Sequence, residues 1–414
     1  MIIVNIPVLF YSSCLYAIIT NQEFHHPYHD ILSSKLMSTL CALPLVAAII
    51  TWFASLPRQL KLSNIYDSNG DVISTSLAAS RKHMPFLPDP DFTTKEKYDA
   101  IRNLLIDLSR QNKKAEADGD KKNKNKKKSW ALVTGASRGI GRALAISLAR
   151  RNIPCILVAR DADRLQKLSN LIQECYGVPT MVIICDISKD EDIHQMMQTL
   201  EQKKIKEDVH VDILVNNAGL GGTDEIVDMP SDKMDQMQQV NIRGTSKLVQ
   251  LFGKDMKLRR TGRIVFVASI TGAVPGVPTS AMYAATKSYQ RSLSNALGRE
   301  LESYGVGVTC SMPGAVGETN FQKDANMSDS TIFNLPSVLA GAITLKPELV
   351  AETTVRAMIR GQGETFVGWF YVLVGRLFVF LLPPRLEIFM CEFFWRPLPF
   401  TSGIRNVRDK AKVS

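Results

Sequence analysis

The sequence predicts an α/β fold, a doubly wound, seven-stranded parallel sheet, and three observations carry that prediction. Short apolar runs recur from Trp130 onward, with helical patterns between them. A glycine-rich turn follows the first of these runs directly. The composition, 45% hydrophobic and 22% charged over 414 residues, is that of a globular chain. It excludes collagen-like, wholly disordered and disulfide-scaffold classes. Alternating strands and helices place successive strands side by side in one direction, with helices over both faces.

The elements follow in order. Residues 2–20 and 36–56 contain no charged side chain, and each is about long enough to cross a hydrocarbon core of roughly 30 Å as a helix. The second is the stronger membrane segment, bounded by Lys35 and by Arg58 and Lys61, with Pro44 as a kink. The first lacks a basic leader and reads as a membrane segment or a weak signal. Between them, His25, His26 and His29 read as a polar loop, because no Cys or helical His pair supports a metal there. Residues 57–90 are loop-like. Residues 93–109 carry Tyr98, Ile101, Leu104, Leu105 and Leu108 at helical spacing.

The net charge of +10 is uneven: eight lysines between Lys113 and Lys128 stand against Glu116, Asp118 and Asp120, which gives half the excess. A solvated linker and attraction to an anionic cytoplasmic leaflet both fit that run. Nucleic-acid binding is disfavoured, since no groove-reading or aromatic motif accompanies it. The seven cysteines (14, 41, 155, 175, 185, 310 and 391) are odd in number and never in C-x-x-C. They offer neither a zinc ribbon nor a disulfide framework.

The strand runs are residues 131–133, 155–159, 182–185, 213–215, 263–268, 306–311 and 366–372, with helical patterns such as 143–151 and 162–175 between them. Four domains follow: an anchoring segment over 1–61, a linker over 62–129, a catalytic domain over 130–372 and an apolar extension over 373–414. Part of residues 366–395 completes the sheet. The rest, carrying Arg376, Arg385 and Arg396, either enters the bilayer interface or forms a dimer contact or pocket wall.

The first strand runs into Thr134-Gly135-Ala136-Ser137-Arg138-Gly139-Ile140-Gly141. Glycines here allow a tight turn and bring backbone N–H groups close to a pyrophosphate at a helix N-terminus. Where an acid would read a ribose 2′-hydroxyl, the second strand ends instead in Arg160, and Arg138 lies in the turn itself. Two guanidinium groups there favour NADP(H); an exposed Arg160–Asp161 pair without a ligand role is the alternative. Farther on, Tyr283 and Lys287 stand four residues apart and share a helix face. A phenol titrates near pH 10. A neighbouring ammonium, with the positive ring of an oxidised nicotinamide, would lower that value and open proton exchange with a substrate oxygen.

With these motifs in place, residues 130–372 resemble the short-chain dehydrogenase/reductase family, whose domains have a Rossmann sheet. The resemblance rests on the glycine turn, Asp186-Ile187, Asn216-Asn217-Ala218-Gly219, Asn241, Ser269, the Tyr283/Lys287 pair and Pro313-Gly314, all in the family's order. It implies that Tyr283 is the general acid, that Lys287 lowers its pKa and binds the nicotinamide ribose, and that Ser269 polarises the substrate carbonyl. Asn241 would fix a water in the proton relay to Lys287. Thr271 is a second hydroxyl near Ser269.

For the cofactor, the resemblance implies Gly135, Ser137, Arg138, Gly139, Ile140 and Gly141 in the turn, and Arg160 after the second strand. Asp186 and Ile187 follow the third strand, with Asp186 at the adenine. Asn217, Ala218 and Gly219 follow the fourth. Tyr283, Lys287, Pro313, Gly314, Val316 and Thr319 complete the set, with Thr319 at the carboxamide. No metal is expected. Residues 318–346 are expected to cover the substrate.

The resemblance and the apolar ends together imply a membrane-anchored, NADP(H)-dependent ketone reductase or alcohol dehydrogenase. Its expected substrate is lipophilic: a 3-oxoacyl thioester, a steroid or a sphingoid ketone. A non-catalytic NADP-binding membrane scaffold is the rival reading, disfavoured because Asn241, Ser269, Tyr283 and Lys287 are all intact. Basic residues concentrate after residue 56, which places the catalytic domain on the cytosolic side. The endoplasmic reticulum membrane is the expected location, and self-association into a homo-oligomer is compatible with the sequence.

Overall fold

Each of the seven apolar runs contributes a strand, and all seven pair in parallel. In chain order they are β1 (Ser129–Thr134), β2 (Cys155–Ala159), β3 (Thr180–Ile184), β4 (His210–Asn216), β5 (Gly262–Val267), β6 (Val306–Pro313) and β7 (Glu364–Val367). Across the sheet the order is β3-β2-β1-β4-β5-β6-β7. The chain builds outward from β1, returns beside it and builds the other way. That reversal opens a crevice beyond the carboxyl ends of β1 and β4, which is where such Rossmann-like sheets take their ligands.

The computed structural model describes residues 86–119, 129–207, 209–325, 343–375 and 382–395. Among these, no helix is long and apolar enough to cross a membrane. Both N-terminal apolar segments, the histidine cluster, residues 120–128 of the lysine run and most of the expected substrate-covering segment lie outside the described residues.

The helices are α1 (Lys95–Gly119), α2 (Gly139–Ala149), α3 (Ala162–Tyr176), α4 (Asp190–Glu207), α5 (Ser231–Gln238) and α6 (Thr245–Arg259). They continue with α7 (Ala281–Glu302), α8 (Phe321–Asp324), α9 (Pro347–Ile359), α10 (Trp369–Leu373) and α11 (Pro384–Trp395). Alternate strand residues feed two cores. Ala131 and Val133 pack with Leu144 and Ile146 of α2, Leu165 and Ile172 of α3 and Val355 of α9. Leu132 points the other way, into the core of Ile193 and Met196 of α4, Leu248 and Phe252 of α6 and Ala284 of α7. Both faces of the sheet are covered, so the strands read as continuous apolar runs rather than alternating ones. Burial of one Leu such as Leu132 contributes about 1.5–3 kcal/mol.

Two stretches depart from expectation. The helix expected over 93–109 runs on as α1 to Gly119, because Lys, Ala, Glu and Gln sustain a helix until glycine stops it. Lys113 and Lys114 therefore belong to that helix rather than to a linker. The segment holding α1 is tied to the sheet domain: Arg102 pairs with Glu174 at 2.6 Å. The N–H of Leu87 donates to the Tyr176 hydroxyl, and Arg142 donates to the carbonyls of Leu87 and Pro88.

The second departure is the last strand, expected over 366–372. β7 ends at Val367, Gly368 turns the chain at φ +86°, and residues 369–373 coil into α10. A left-handed φ is open to glycine and breaks the extended run. Beyond it, α11 exposes Leu386 and Phe389 and buries Cys391. Cys155, Cys175, Cys185, Cys310 and Cys391 are free and buried thiols.

Candidate active site

The site starts where β1 meets α2. The chain turns at Gly135 with φ +65° and again at Gly139 with φ +55°. A Cβ on Gly141 would fall 2.1 Å from the Gly135 carbonyl oxygen, so only glycine closes this turn. The loop after β4 is stitched onto it. The Thr134 hydroxyl accepts from the N–H groups of Asn217 and Ala218, at 3.0 and 3.1 Å. Asn217 Nδ2 donates to the Thr134 carbonyl at 2.8 Å. No side chain caps the start of α2, so its first N–H groups are available to an anion at the positive end of the helix.

Around the rim of this turn stand the charged groups. Arg138 pairs with Asp324 at 2.7 Å, and Arg160 lies 3.8 Å from Asp186 with most of its side chain exposed. Asp161, beside Arg160, is engaged elsewhere: its carboxylate accepts from the Arg164 N–H and caps α3. Asp186 accepts from the N–H and hydroxyl of Ser188, which fixes the bend after β3.

On the other side of the crevice, Ser269 stands two residues past the end of β5, and its Oγ accepts from the Thr271 N–H at 3.3 Å. The 3-10 turn that follows (Ile270–Gly272) lies so close to α7 that a Cβ on Gly272 would sit 2.6 Å from the Lys287 carbonyl carbon. This packing brings Ser269 into hydrogen-bond contact with Tyr283. Burial pushes the Tyr283 phenol up to about 12, and the Ser269 hydrogen bond pulls against it. Lys287 stands one turn on, its Nζ 5.7 Å from the Tyr283 ring centroid. Burial pushes its ammonium down to about 8. The acidified phenol expected from the sequence is thus not set up by the chain's own residues. Desolvation dominates at both groups, as it does for buried acids and bases generally.

Asn241 sits on a π turn (Gln239–Gly244) between α5 and α6, an irregularity common at functional positions. Its side chain accepts from the Leu220 N–H and donates to the Leu220 carbonyl, both at 2.8 Å, and to Thr286 Oγ1 at 2.9 Å. Its main-chain oxygen accepts from Gln290 Nε2 at 2.8 Å.

The third wall follows β6. The Ala315 N–H donates to the Tyr371 hydroxyl at 2.9 Å. The Tyr371 ring lies where a Cβ on Gly314 would be, 1.9 Å from its nearest atom. Thr319 approaches the glycine turn, its Cγ2 lying 3.2 Å from where a Cβ on Gly139 would be. Phe321 faces Tyr283 with ring centroids 5.7 Å apart.

These walls enclose a cavity of about 570 Å³. Gly135, Ser137, Arg138, Gly139, Ile140, Gly141, Arg160, Asp186, Ile187, Asn217, Ala218 and Gly219 all line it. So do Ser269, Tyr283, Lys287, Pro313, Gly314, Val316 and Thr319. Of the residues singled out in the sequence, Asn241 alone does not reach it. Thr271, Leu220 and Phe321 also line it; Leu220, an apolar loop residue, had no sequence signal, and Phe321 opens α8 within the segment expected to cover the substrate. Gln290 and Tyr371 act from behind the wall. Among the described residues, no group of His, Cys, Asp or Glu could hold a metal ion. The residues present fit a dinucleotide: a turn that only glycine closes, an uncapped helix N-terminus and flanking arginines.

Residues 129–330 match the family described as short chain dehydrogenase. An uncharacterized oxidoreductase of Staphylococcus epidermidis is 31% identical over 234 residues, which cover 53% of this chain and 98% of the relative. A very-long-chain 3-oxoacyl-CoA reductase of Pyrenophora tritici-repentis is 36% identical over 188 residues, 44% of this chain. The matched region spans about half of that relative, 53% of its length. Among solved structures, a short-chain dehydrogenase from Sphingobium yanoikuyae in complex with NADPH is similar at a TM-score of 0.51 and 26% identity. That match covers 57% of this chain and 87% of the other. The chain belongs to the short-chain dehydrogenase/reductase family, oxidoreductases that act on CH–OH groups with a nicotinamide cofactor.

Proposed function

We propose that this protein is a membrane-anchored, NADP(H)-dependent reductase of lipophilic ketones, with long-chain 3-oxoacyl thioesters as the first substrate class. The observation that carries the reading is one cavity holding both the glycine turn with Arg138 and Arg160 and the Ser269–Tyr283–Lys287 group. When bound, the nicotinamide supplies or accepts the hydride. The chain's own residues handle binding and the proton. The N–H groups at the start of α2 meet the pyrophosphate, and Arg138 and Arg160 meet the 2′-phosphate. Asp161, committed to capping α3, does not compete for it. Tyr283 gives its proton to the substrate oxygen, and Ser269 holds that oxygen by a second hydrogen bond. Lys287 stabilises the phenolate that remains. Burial alone would hold the phenol high, so the proton would leave as charge develops on the substrate oxygen, and the positive ring left after hydride transfer would add to Lys287 in favouring the phenolate.

Substrate class is argued from the surroundings of Tyr283. Met229 and Met237 pack with it, and Leu220, Met234, Met282 and Phe321 lie against the same cluster. Methionine and aromatic side chains adapt to a long alkyl chain. The name of the Pyrenophora relative points the same way. In this reading the uncharged segments over 2–20 and 36–56 would supply the anchor, in the endoplasmic reticulum membrane, and the basic residues after residue 56 favour a cytosolic catalytic domain. The test is NADPH oxidation by the full chain in detergent, with 3-oxoacyl-CoA esters of rising chain length, steroid ketones, sphingoid ketones and short polar ketones. Turnover that rises with acyl length and prefers NADPH to NADH supports the reading. Turnover of short polar ketones alone, or a preference for NADH, overturns it. Extraction of the chain from membranes by alkaline carbonate would refute the anchor.

A further inference from the structure

We propose that Gln290 is a positioning residue of the reaction: its side-chain amide, spanning Lys287 Nζ and the main-chain oxygen of Asn241, fixes the ammonium beside Tyr283. Lys287 Nζ donates to the Val267 carbonyl at 2.9 Å and to Gln290 Oε1 at 3.0 Å. Gln290 Nε2 donates in turn to the Asn241 carbonyl at 2.8 Å. Asn241 is held by Thr286, whose hydroxyl donates to the Tyr283 carbonyl at 2.8 Å. The chain of contacts therefore returns to the helix that carries Tyr283 and Lys287. Gln290 is 1% exposed and Asn241 fully buried, so neither end of the amide is free to turn toward water. Reversing the amide would set its NH₂ against an ammonium and its oxygen against a carbonyl, which fixes its orientation.

The span matters because, among the described residues, no charged group pairs with Lys287. Tyr283 faces it from the same helix. From β6 the Cys310 thiol faces it, and burial pushes that thiol up to about 11, so it is neutral. Beyond Cys310, Arg291 and Glu364 pair with each other at 2.9 Å. The ammonium is thus kept by two neutral acceptors, Val267 O and Gln290 Oε1, against a desolvation that pulls its titration down to about 8. A hydrogen bond to a charged group is stronger than one between neutral groups. Losing one of two acceptors disfavours the ammonium and leaves less of it present at working pH.

The inference rests on Tyr283 as proton donor and Lys287 as its partner, and the experiment separates the two. Full-length protein labelled with ¹³Cε-lysine is titrated by NMR, the Lys287 signal being the one absent from Lys287→Arg. The pH profile of NADPH oxidation with a 3-oxoacyl-CoA ester is recorded alongside, and NADPH binding by fluorescence reports folding. In Gln290→Met, which keeps the volume and removes the acceptor, the Lys287 midpoint should fall by about one pH unit, a tenfold change in the ammonium-to-amine ratio. The alkaline limb of the reductase profile should move down with it. Gln290→Glu returns an oxygen beside Nζ whether or not it is ionised, so its midpoint should lie at or above that of the parent. A Met variant that binds NADPH and keeps the parental midpoint and limb overturns the inference, as does a Glu variant whose midpoint falls. Should Tyr283→Phe remain active, the catalytic reading itself fails; an inactive Tyr283→Phe with an unmoved Gln290→Met removes only the role of Gln290.

Discussion

The two long walls of the cavity are built by different means. The glycine-turn wall is mostly backbone: Gly135, Gly139 and Gly141 let the main chain approach itself to within what any side chain would block. The Tyr283 wall is mostly side chain: Ser269 follows β5, Tyr283 and Lys287 come from α7, and Asn241 backs them from a π turn behind the wall, each buried. A backbone wall is specified by which residues are absent, since only the missing Cβ makes it possible. A side-chain wall is specified by which elements meet, so its chemistry depends on packing far from the reacting atoms. The first should fail by distortion when a methyl is added, the second by loss of function when a single atom is removed.

The sharpest test of that difference is Tyr283→Phe. It removes one oxygen and keeps the ring against Phe321. Reduction should fall by about 10²–10⁴-fold, the usual worth of a positioned acid, with NADPH affinity unchanged in fluorescence titration. Activity within a few-fold of the parent would mean the proton comes from another group.

On the glycine-turn side, replacing both Arg138 and Arg160 with Ala should weaken NADPH binding by about tenfold to a hundredfold, because charge-assisted contacts to the 2′-phosphate would be lost. NADH binding should change little. Equal losses for the two would assign these arginines to the Asp324 and Asp186 pairs rather than to the cofactor.

A methyl group on the backbone wall should do what no side-chain deletion there can. Gly141→Ala forces a Cβ to within 2.1 Å of the Gly135 oxygen, so stability should drop by about 1–3 kcal/mol, in the range of overpacking, and cofactor binding should fall with it. Gly363→Ala meets nothing within 4 Å and should stay within about 0.5 kcal/mol of the parent. Urea unfolding monitored by circular dichroism compares the two. Equal stability of both variants would mean the turn relaxes at no cost.

The same contrast explains what could be read from the sequence. The glycine turn was legible because its constraint is local, and the Tyr283–Lys287 pair because four residues make one helical turn. The strand runs were legible because both faces of the sheet are buried, which leaves continuous apolar text. The end of β7 was not legible: Trp369, Phe370 and Tyr371 are good strand residues, and only Gly368 marks the turn that makes them helical. Nor was Gln290, a polar residue on a helix that reads as a solvent-facing position until α7 is packed against the turn carrying Asn241. The seat of Tyr371 at Gly314 joins residues 57 positions apart, and no local pattern announces it. The direction of the Tyr283 shift was also hidden, because neighbours in sequence reveal a charge but not the depth of burial around it.

That burial gives the smallest and most specific prediction, a contribution of Lys287 to stability that depends on pH. Lys287 titrates near 8 in the folded chain against an ordinary value of 10.5. Between these two values the unfolded chain holds a proton that the folded chain has released. The contribution of Lys287 therefore rises with pH in that window, by about 1 kcal/mol from pH 8 to pH 9. Tyr283 acts in the opposite sense: its folded value of about 12 lies above the ordinary 10.0. Between those values the folded chain keeps a proton that the unfolded chain has lost, so this contribution declines as pH rises. Burial also raises the thiols of Cys155, Cys175, Cys185, Cys310 and Cys391, which act in the same sense as Tyr283, so the Lys287 contribution is read as a difference between variants. Between pH 8 and 9 the urea-derived stability of the parent should gain about 1 kcal/mol relative to Lys287→Met, where the titrating group is gone, its volume is largely kept and the buried thiols act alike. The Arg138→Ala and Arg160→Ala double variant should retain the full Lys287 contribution, since neither arginine belongs to the Tyr283 wall. An equal change in Lys287→Met would trace the effect to other groups and would show that the Tyr283 wall holds its lysine without cost to the charged form.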